Sequence, residues 1–405
     1  MTDDTLLRRI QALQNHDKPA AEALLIGFIA ETFPALDPIT VELRPSAVSL
    51  NSFNGYLTLR DGTRLFFKTH VEPDSVIGEY YNATLLAEAG YPVIRPRYAS
   101  TEYGKQFLIY DLIDSLSVFD LARQIETGTA AIDSLAQLTV AQNAADDHLY
   151  QIYRATLADQ AADEAARAPI HQLFYHRLAG GRYRTFYESS DNFVSRSVDK
   201  QWVINGRRYQ STLHELIDQQ EVLAPARSGP SVIGHGDAHN GNVFYMNSGL
   251  VYFDPAFAGR HNLFLDLTKP LFHNVFASWL YHSVDHPQAN TLTIQQTAGL
   301  ITVTYDEILP TVRRMFFESK IERVLTPILL TLKDSDQLPA DWRLYLKMAL
   351  MCCPLLTMNL ADTARFPEQT AWLGLTYALQ MGSESDSANG RSLLDQTLDS
   401  IEAKL

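Results

Sequence analysis

The stretch Gly234-His235-Gly236-Asp237-Ala238-His239-Asn240-Gly241-Asn242 decides how this chain is read. Ser231-Val232-Ile233 stands before it and Val243-Phe244-Tyr245 after it, and both read as short strands. A second apolar run, Leu250-Val251-Tyr252-Phe253, delivers Asp254, with Asn247-Ser248-Gly249 as the turn between the runs. The pattern over 232–254 is a hairpin with a polar, glycine-rich loop at its start and a carboxylate at its end. His235 and His239 are four apart, as zinc ligands on a helix would be. Gly236, Gly241 and the flanking strands instead argue for a loop, and no Glu stands in the expected place. A dinucleotide fingerprint fits no better, because His239 occupies the third glycine position and no helix follows.

Working outward, the composition bounds the answer. The 405 residues suffice for two domains or one large domain with lobes. Apolar residues make up 46% and charged residues 20%, as in a globular protein with a substantial core. With 47 acidic against 33 basic residues the net charge is −14, which weighs against nucleic acid as a partner. An acidic field favours cationic small molecules, though only weakly. The adjacent Cys352-Cys353 read as two small core residues in a reducing compartment. Met1-Thr2-Asp3-Asp4 lacks the basic region of a signal peptide, and the apolar run 23–30 is too short for a bilayer. A cytoplasmic protein with no membrane partner is expected; the oligomeric state stays open.

Upstream, residues 5–34 carry the spacing of two helices, with Leu6, Leu7, Ile10 and Leu13 in the first and Leu24, Leu25, Phe28 and Ile29 in the second. Strand patterns follow at Ile39–Leu43, Tyr56–Leu59 and Arg64–His70, the last two joined by the hairpin signal Asp61-Gly62. A helix over Ser75–Ala89 and strands at Arg97–Ser100 and Gln106–Ile113 complete a small antiparallel sheet. Beyond Ser115 the pattern is mainly helical, and after Leu263 it is helical to the end. The expected division is 1–38, N-terminal helices; 39–113, a strand-rich lobe; and 114–405, a helical lobe carrying the hairpin.

The hairpin holds what phosphoryl transfer asks for: a carboxylate to take or orient a hydroxyl proton, and oxygen ligands for Mg2+. Asp237 is the candidate base. Asn242 lies five residues later, past the tight loop that Gly241 permits, and Asp254 twelve residues further on. Phosphates also call for a cation held by a helix carboxylate, and Lys68 and Glu79 stand in the right order for that pair. Asn51–Gly55 is the candidate phosphate-covering loop, with Ser52 and Asn54 as polar contacts and backbone amides beside them.

His235-Gly236-Asp237-x-His239-x-x-Asn242 resembles the signature of the aminoglycoside phosphotransferase and choline kinase family. Asp254-Pro255-Ala256-Phe257-Ala258-Gly259 resembles its metal-binding aspartate segment, and the Asp-Pro variant also resembles fructosamine and methylthioribose kinases. Asp266-Leu267 resembles a structural aspartate that follows in many members. The likeness is specific around 232–268, looser over 48–113 and nearly absent from the last hundred residues. It implies an α+β, protein-kinase-like fold with a small antiparallel-sheet N-lobe and a large, mainly helical C-lobe. It implies ATP or GTP as donor, Mg2+, and transfer to a small-molecule hydroxyl. On this likeness Asp237 is the catalytic base, Asn242 and Asp254 are metal ligands, and His235 and His239 brace the loop or, for His239, face the substrate. Backbone groups near Tyr110 and Leu112 would hold the adenine.

The acceptor is read more coarsely: a sugar, aminosugar or nucleoside-like metabolite or antibiotic. Choline or another small alcohol is the alternative, and a non-catalytic nucleotide-binding protein a further one. Candidate contacts are the aromatic and basic stretch 174–187, with Arg182 and Arg184, and the residues His273, Trp279, Tyr281 and His282.

Overall fold

Arg64-Leu65-Phe66-Phe67-Lys68-Thr69-His70 shows how the first part of the chain is built. Leu65, Phe67 and Thr69 are buried, while Phe66 and Lys68 point to the other side, the period-2 alternation of a half-buried strand. The structure, a computed structural model, describes residues 5–44, 52–70, 75–102, 104–284, 286–386 and 390–405, and at residues 52, 70 and 75–79 the backbone alone. It forms two units, residues 1–115 with 251–256, and residues 116–250 with 257–405. Its class is mixed α+β.

In the first unit, α1 (Leu6–Leu13) and α2 (Lys18–Thr32) precede β1 (Pro38–Leu43), β2 (Ser52–Leu59), β3 (Arg64–His70), α3 (Ser75–Ala89), β4 (Tyr98–Ser100) and β5 (Phe107–Asp111). The sheet order is β1-β2-β3-β5-β4, and every neighbouring pair is antiparallel. Thr5 and Asp17 cap the two helices, each accepting a main-chain N–H from three residues on. Their apolar stripes then close one face of the sheet. Leu7, Ile10, Leu25, Phe28 and Ile29 share a core with Val41, Leu43, Phe53, Leu57, Leu65, Phe67, Phe107 and Ile109. Removing one such aromatic, as in Phe67→Ala, would cost about 3–5 kcal/mol.

The expected phosphate loop is corrected here. Asn51 lies outside the described residues, but Ser52 to Gly55 belong to β2 and pair continuously with β3. Gly55 serves close approach, not a turn, since a Cβ on it would collide with the Glu42 carbonyl of the neighbouring strand.

The second unit holds short sheets among helices. Its strands are β6 (Ala158–Gln160), β7 (Gln201–Ile204), β8 (Arg207–Arg208), β9 (Gly229–Gly234), β10 (Val243–Met246), β12 (Gly259–Asn262), β13 (Thr293–Gln296) and β14 (Leu300–Thr304); β11 (Gly249–Tyr252) pairs with β10, and the chain leaves this unit within it. Strand β9 lies between β12 and β6. The helix Trp342–Leu356 packs against the helices Leu263–His273 and Glu368–Gly382, and almost every residue of the three is buried.

The all-helical expectation after Leu263 is also corrected. Strands β13 and β14 form a hairpin, and β14 runs parallel to β7 in a four-stranded sheet. Ile301 and Val303 alternate with Thr302 and Thr304, and β-branched residues of this kind fit a pleated, half-buried surface better than a helix.

Candidate functional site

The loop after β9 is shaped by close approaches. Gly234 ends the strand, and a Cβ on it would sit 2.5 Å from the Asp266 side-chain carbon. Gly236 has φ +78°, and a Cβ there would strike the Phe257 carbonyl. Asp266, buried on the helix Leu263–His273, accepts from the Gly236 N–H at 2.6 Å and lies 3.0 Å from His261 Nε2; the Tyr153 hydroxyl donates to its other oxygen. Burial works to raise its pKa, but the His261 hydrogen bond and these other donors hold it below the ordinary carboxylate value. An ionised Asp266 thus clamps the loop from behind, matching the structural aspartate suggested by the sequence.

Further along, the loop closes on itself. The Asp237 N–H donates to His235 Nδ1 at 3.4 Å, and the Gly241 N–H to His239 Nδ1 at 3.1 Å. His239 caps the short turn Asn240–Asn242 in this way, and the Asn240 N–H reaches Asn274 Oδ1 at 2.7 Å. Both histidines therefore brace the backbone of a loop. The Asn242 side-chain nitrogen donates to the Asp237 carbonyl at 3.0 Å, so its amide oxygen is the atom on offer to a cation.

Asp237 itself is left under-satisfied. Its Oδ1 is buried and has no hydrogen-bond donor among the described residues. Lys269 Nζ stands 3.9 Å from Oδ1, and His239 Nε2 stands 3.9 Å from Oδ2. Burial pushes its pKa up, yet the charges of Lys269, His239, His235 and Arg177 outweigh that and keep it below the usual carboxylate range. The result is an ionised carboxylate with a lone pair pointing at no partner, which suits a group that must accept a proton from a ligand.

In the first unit, Lys68 projects from the sheet face opposite the helices. Its Nζ lies 2.6 Å from Asp254 Oδ1. Asn54 pairs across the strands with Lys68 and so shares its face. Asp254 sits in left-handed backbone at φ +57°, a conformation that needs support from its surroundings. That support is visible: β11 joins Pro92–Ile94 through Tyr252 N–H to Pro92 O at 2.7 Å and Ile94 N–H to Tyr252 O at 2.8 Å, and Asn82 donates to Pro255 O at 3.0 Å. Tyr110 lies in β5 opposite Phe66, and Leu112 follows the strand, exposed. Ser52 and Glu79 lie in β2 and α3, and their side chains fall outside the described residues.

Two residues escaped the sequence reading. Lys269 and Asn274 both touch the loop, and both belong to the segment that starts at Asp266. The signal was a single lysine, three residues after Asp266 and four before His273, in an otherwise apolar helix whose eleven residues are all buried. Among the proposed acceptor contacts, Trp279 is core. Arg184 pairs with Glu188 at the surface, and Arg182 Nη1 donates to the Leu356 carbonyl at 3.1 Å. His273 Nδ1 and the Tyr281 hydroxyl are 2.7 Å apart, beside Lys269. The two cysteines are buried and free; burial pushes the Cys353 thiol up to about 11, so neither offers a nucleophile.

The sequence profile of the phosphotransferase enzyme family matches residues 49–286, more than half of the chain. No curated protein matches it. Among solved structures, an amicoumacin kinase in complex with AMP-PNP and Ca2+ is 14% identical, with a TM-score of 0.45, over 88% of this chain and 92% of the other. An aminoglycoside phosphotransferase in a ternary complex with ADP and hygromycin B is 11% identical, with a TM-score of 0.47, over 88% and 98%. A putative fructosamine-3-kinase from Thermobifida fusca is 15% identical, with a TM-score of 0.41, over 87% and 98%. Among the described residues no helix is long and apolar enough to cross a membrane.

Proposed function

The chain belongs to the phosphotransferase enzyme family and is a small-molecule kinase; from that premise we propose that it moves the γ-phosphate of ATP, or GTP, to a hydroxyl of a sugar, aminosugar or nucleoside-like acceptor. The observation that carries the reading is the ionised Asp237, whose buried Oδ1 accepts no hydrogen bond among the described residues. An acceptor hydroxyl would donate to that oxygen. As the hydroxyl oxygen bonds to the γ-phosphorus and the bond to the nucleoside diphosphate oxygen breaks, the proton passes to the Asp237 carboxylate. Asp266 and the two loop histidines keep the carboxylate in place, so orientation is set before the acceptor arrives.

The donor set suits Mg2+. Asn242 offers an amide oxygen, because its nitrogen is committed to the Asp237 carbonyl, and Asp254 offers a carboxylate. These are the hard oxygen ligands that this ion prefers. When bound, the ion would neutralise phosphate charge. Lys68 would meet the phosphates, with Glu79 as its proposed helix partner and Ser52 and Asn54 as neighbouring polar contacts. Backbone groups near Tyr110 and Leu112 would hold the base. In this reading residues 39–113 serve the nucleotide, residues 114–405 the acceptor, and residues 1–38 support the sheet.

The test is a coupled assay of ADP and GDP release with Mg2+ across a panel of hydroxylated metabolites. Turnover with at least one acceptor, lost in Asp237→Ala, is expected; an Asp237→Ala variant of near wild-type rate sinks the mechanism. Asp254→Ala should change the Mg2+ dependence of the rate, and an unaltered metal titration would remove Asp254 from its role.

A further inference from the structure

Around Asp237 the second unit holds more positive charge than its own groups satisfy. Lys269 is only 4% exposed. Its ammonium has three N–H bonds to place. Among the described residues it makes one hydrogen bond, a long one of 3.5 Å to His273 Nε2. The nearest carboxylate oxygen, Asp237 Oδ1, is 3.9 Å away, beyond hydrogen-bond reach. His273 cannot turn toward a better geometry, because its Nδ1 is engaged with the Tyr281 hydroxyl. Arg177, which is partly exposed, adds a second cation. Its Nε is buried without a partner, and its guanidinium makes no hydrogen bond or ion pair among the described residues. It lies on the short helix Tyr175–Leu178, which packs against the helix Trp342–Leu356, which in turn packs against the helix bearing Lys269. Its charge is felt by Asp237, His273, Cys352 and Cys353.

Other buried cations of the same unit are matched. Arg313 pairs with Glu126, Lys320 with Asp146, and Lys347 with Asp395. A buried ammonium that meets its carboxylate only at 3.9 Å keeps N–H bonds without close acceptors, which is costly, so its persistence needs a reason. Burial draws Arg177 down to about 10 and His273 well below its ordinary value; Lys269 is the cation placed 3.9 Å from Asp237, and Arg177 acts on it through its charge, with His235 and His239 on the loop and Tyr281 and the neutral thiols of Cys352 and Cys353 around them.

We propose that Lys269 and Arg177 bind an anionic group on the acceptor, a carboxylate or a phosphate, so that the acceptor of this enzyme is a hydroxylated anion. This rests on the reading of Asp237 as the base. The gap between Lys269 Nζ and Asp237 Oδ1 suits a ligand that donates a hydroxyl to one and presents an anionic oxygen to the other, with the two groups a few bonds apart. Arg177 supplies the planar fork that carboxylates and phosphates take in two hydrogen bonds. The acceptor is favoured over the nucleotide as the source of the anion. The nucleotide phosphates already have Lys68 and a metal ion assigned to them, whereas Arg177 and Lys269 stand on helices of the unit assigned to the acceptor. The overall charge of −14 does not oppose this, since exposed carboxylates are screened within about 10 Å at ordinary salt.

The experiment compares matched acceptors with MgATP: gluconate against sorbitol, glucose 6-phosphate against glucose, and glycerate against glycerol. In the wild type, kcat/KM is expected to favour the anionic member of at least one pair about tenfold or more. In Lys269→Met and in Arg177→Met that ratio should fall by roughly ten- to a hundredfold, the scale of a lost charged hydrogen bond. A ratio of one or below in every pair overturns the proposal. So does a loss that is equal for both members, because the cations would then serve the transferred phosphoryl group. Turnover of neutral acceptors alone defeats this inference and leaves the kinase reading standing. Should no acceptor turn over, calorimetric titration of the full chain with gluconate and with inorganic phosphate decides: saturable binding weakened tenfold or more in both variants supports the site, and no binding, or binding unchanged in both, overturns it.

Discussion

Two buried polar clusters in the second unit look alike in composition and differ in completeness. Near the C-terminus, Lys347 is 1% exposed and pairs with Asp395, whose other oxygen accepts from the Ser385 main-chain N–H at 2.9 Å and from its hydroxyl. Arg343 reaches Glu384 at 2.7 Å, Asp399 at 2.8 Å and Glu402 at 2.6 Å, and Arg391 ties Glu384 and Asp399 together. That network is closed, and each cation in it meets a carboxylate. Around Asp237 the Lys269 ammonium stands 3.9 Å from the carboxylate, and Asp237 Oδ1 and Arg177 Nε have no hydrogen-bond partner among the described residues. A closed network holds chain segments together, and an open one has hydrogen-bonding capacity left over. The difference separates function from architecture more sharply than burial or charge does, since both clusters are buried and charged.

The largest expected effect is on activity. Asp237→Ala should lower kcat by about two to four orders of magnitude in the ADP-release assay, with a melting temperature close to wild type. The closed cluster should behave in the opposite way. Asp395→Ala strands Lys347 in the interior, and chemical denaturation should report a loss of about 3–5 kcal/mol, with the KM for nucleotide unchanged in the protein that remains folded. If Asp237→Ala unfolds the chain as readily as Asp395→Ala, the two clusters do not differ in kind.

Acid should probe the histidines that belong to neither cluster. Burial holds His171 and His286 at about 4, below their ordinary value of 6.5. Because the folded value is the lower one, the stability these groups contribute is present above about pH 6.5 and is lost as the pH falls toward 4. Each should cost on the order of 3 kcal/mol across that window. Asp237, Asp266 and Asp395 are all held below the ordinary carboxylate value of 3.8, so their contributions persist through this window and fall away only in stronger acid. Melting curves from pH 7 to 4 should therefore flatten in the double variant His171→Gln/His286→Gln, and an unchanged pH slope would refute the assignment.

The smallest effect makes the sharpest contrast. Lys269→Met removes a cation 3.9 Å from the partly exposed Asp237 and should cost less stability than Lys347→Met, which leaves the fully buried Asp395 without its directly hydrogen-bonded cation. Equal losses in denaturant would place Lys269 in a structural network like that of Lys347.

Much of this was legible beforehand because it is local. The loop glycines, the strand alternation around Lys68 and the helical spacing of residues 5–34 depend on neighbours a few positions away. The hairpin at β13 and β14 was missed because its own turn, Thr297-Ala298-Gly299, is a modest signal, and what stabilises β14 is β7, about a hundred residues upstream. Likewise Gly55 read as part of a loop because a glycine in a strand and a glycine in a turn look the same without the neighbouring strand in view.

By itself the sequence determined the reaction class. Asp237, Asn242 and Asp254 stand in one short stretch of the chain, and a pattern so local can be read from residue order alone. Which groups surround Asp237 was decided by the tertiary structure. Lys269 and Arg177 come from segments far from the loop in the chain, and whether a cation is matched or open depends on distances of an ångström or two that no spacing in the sequence encodes.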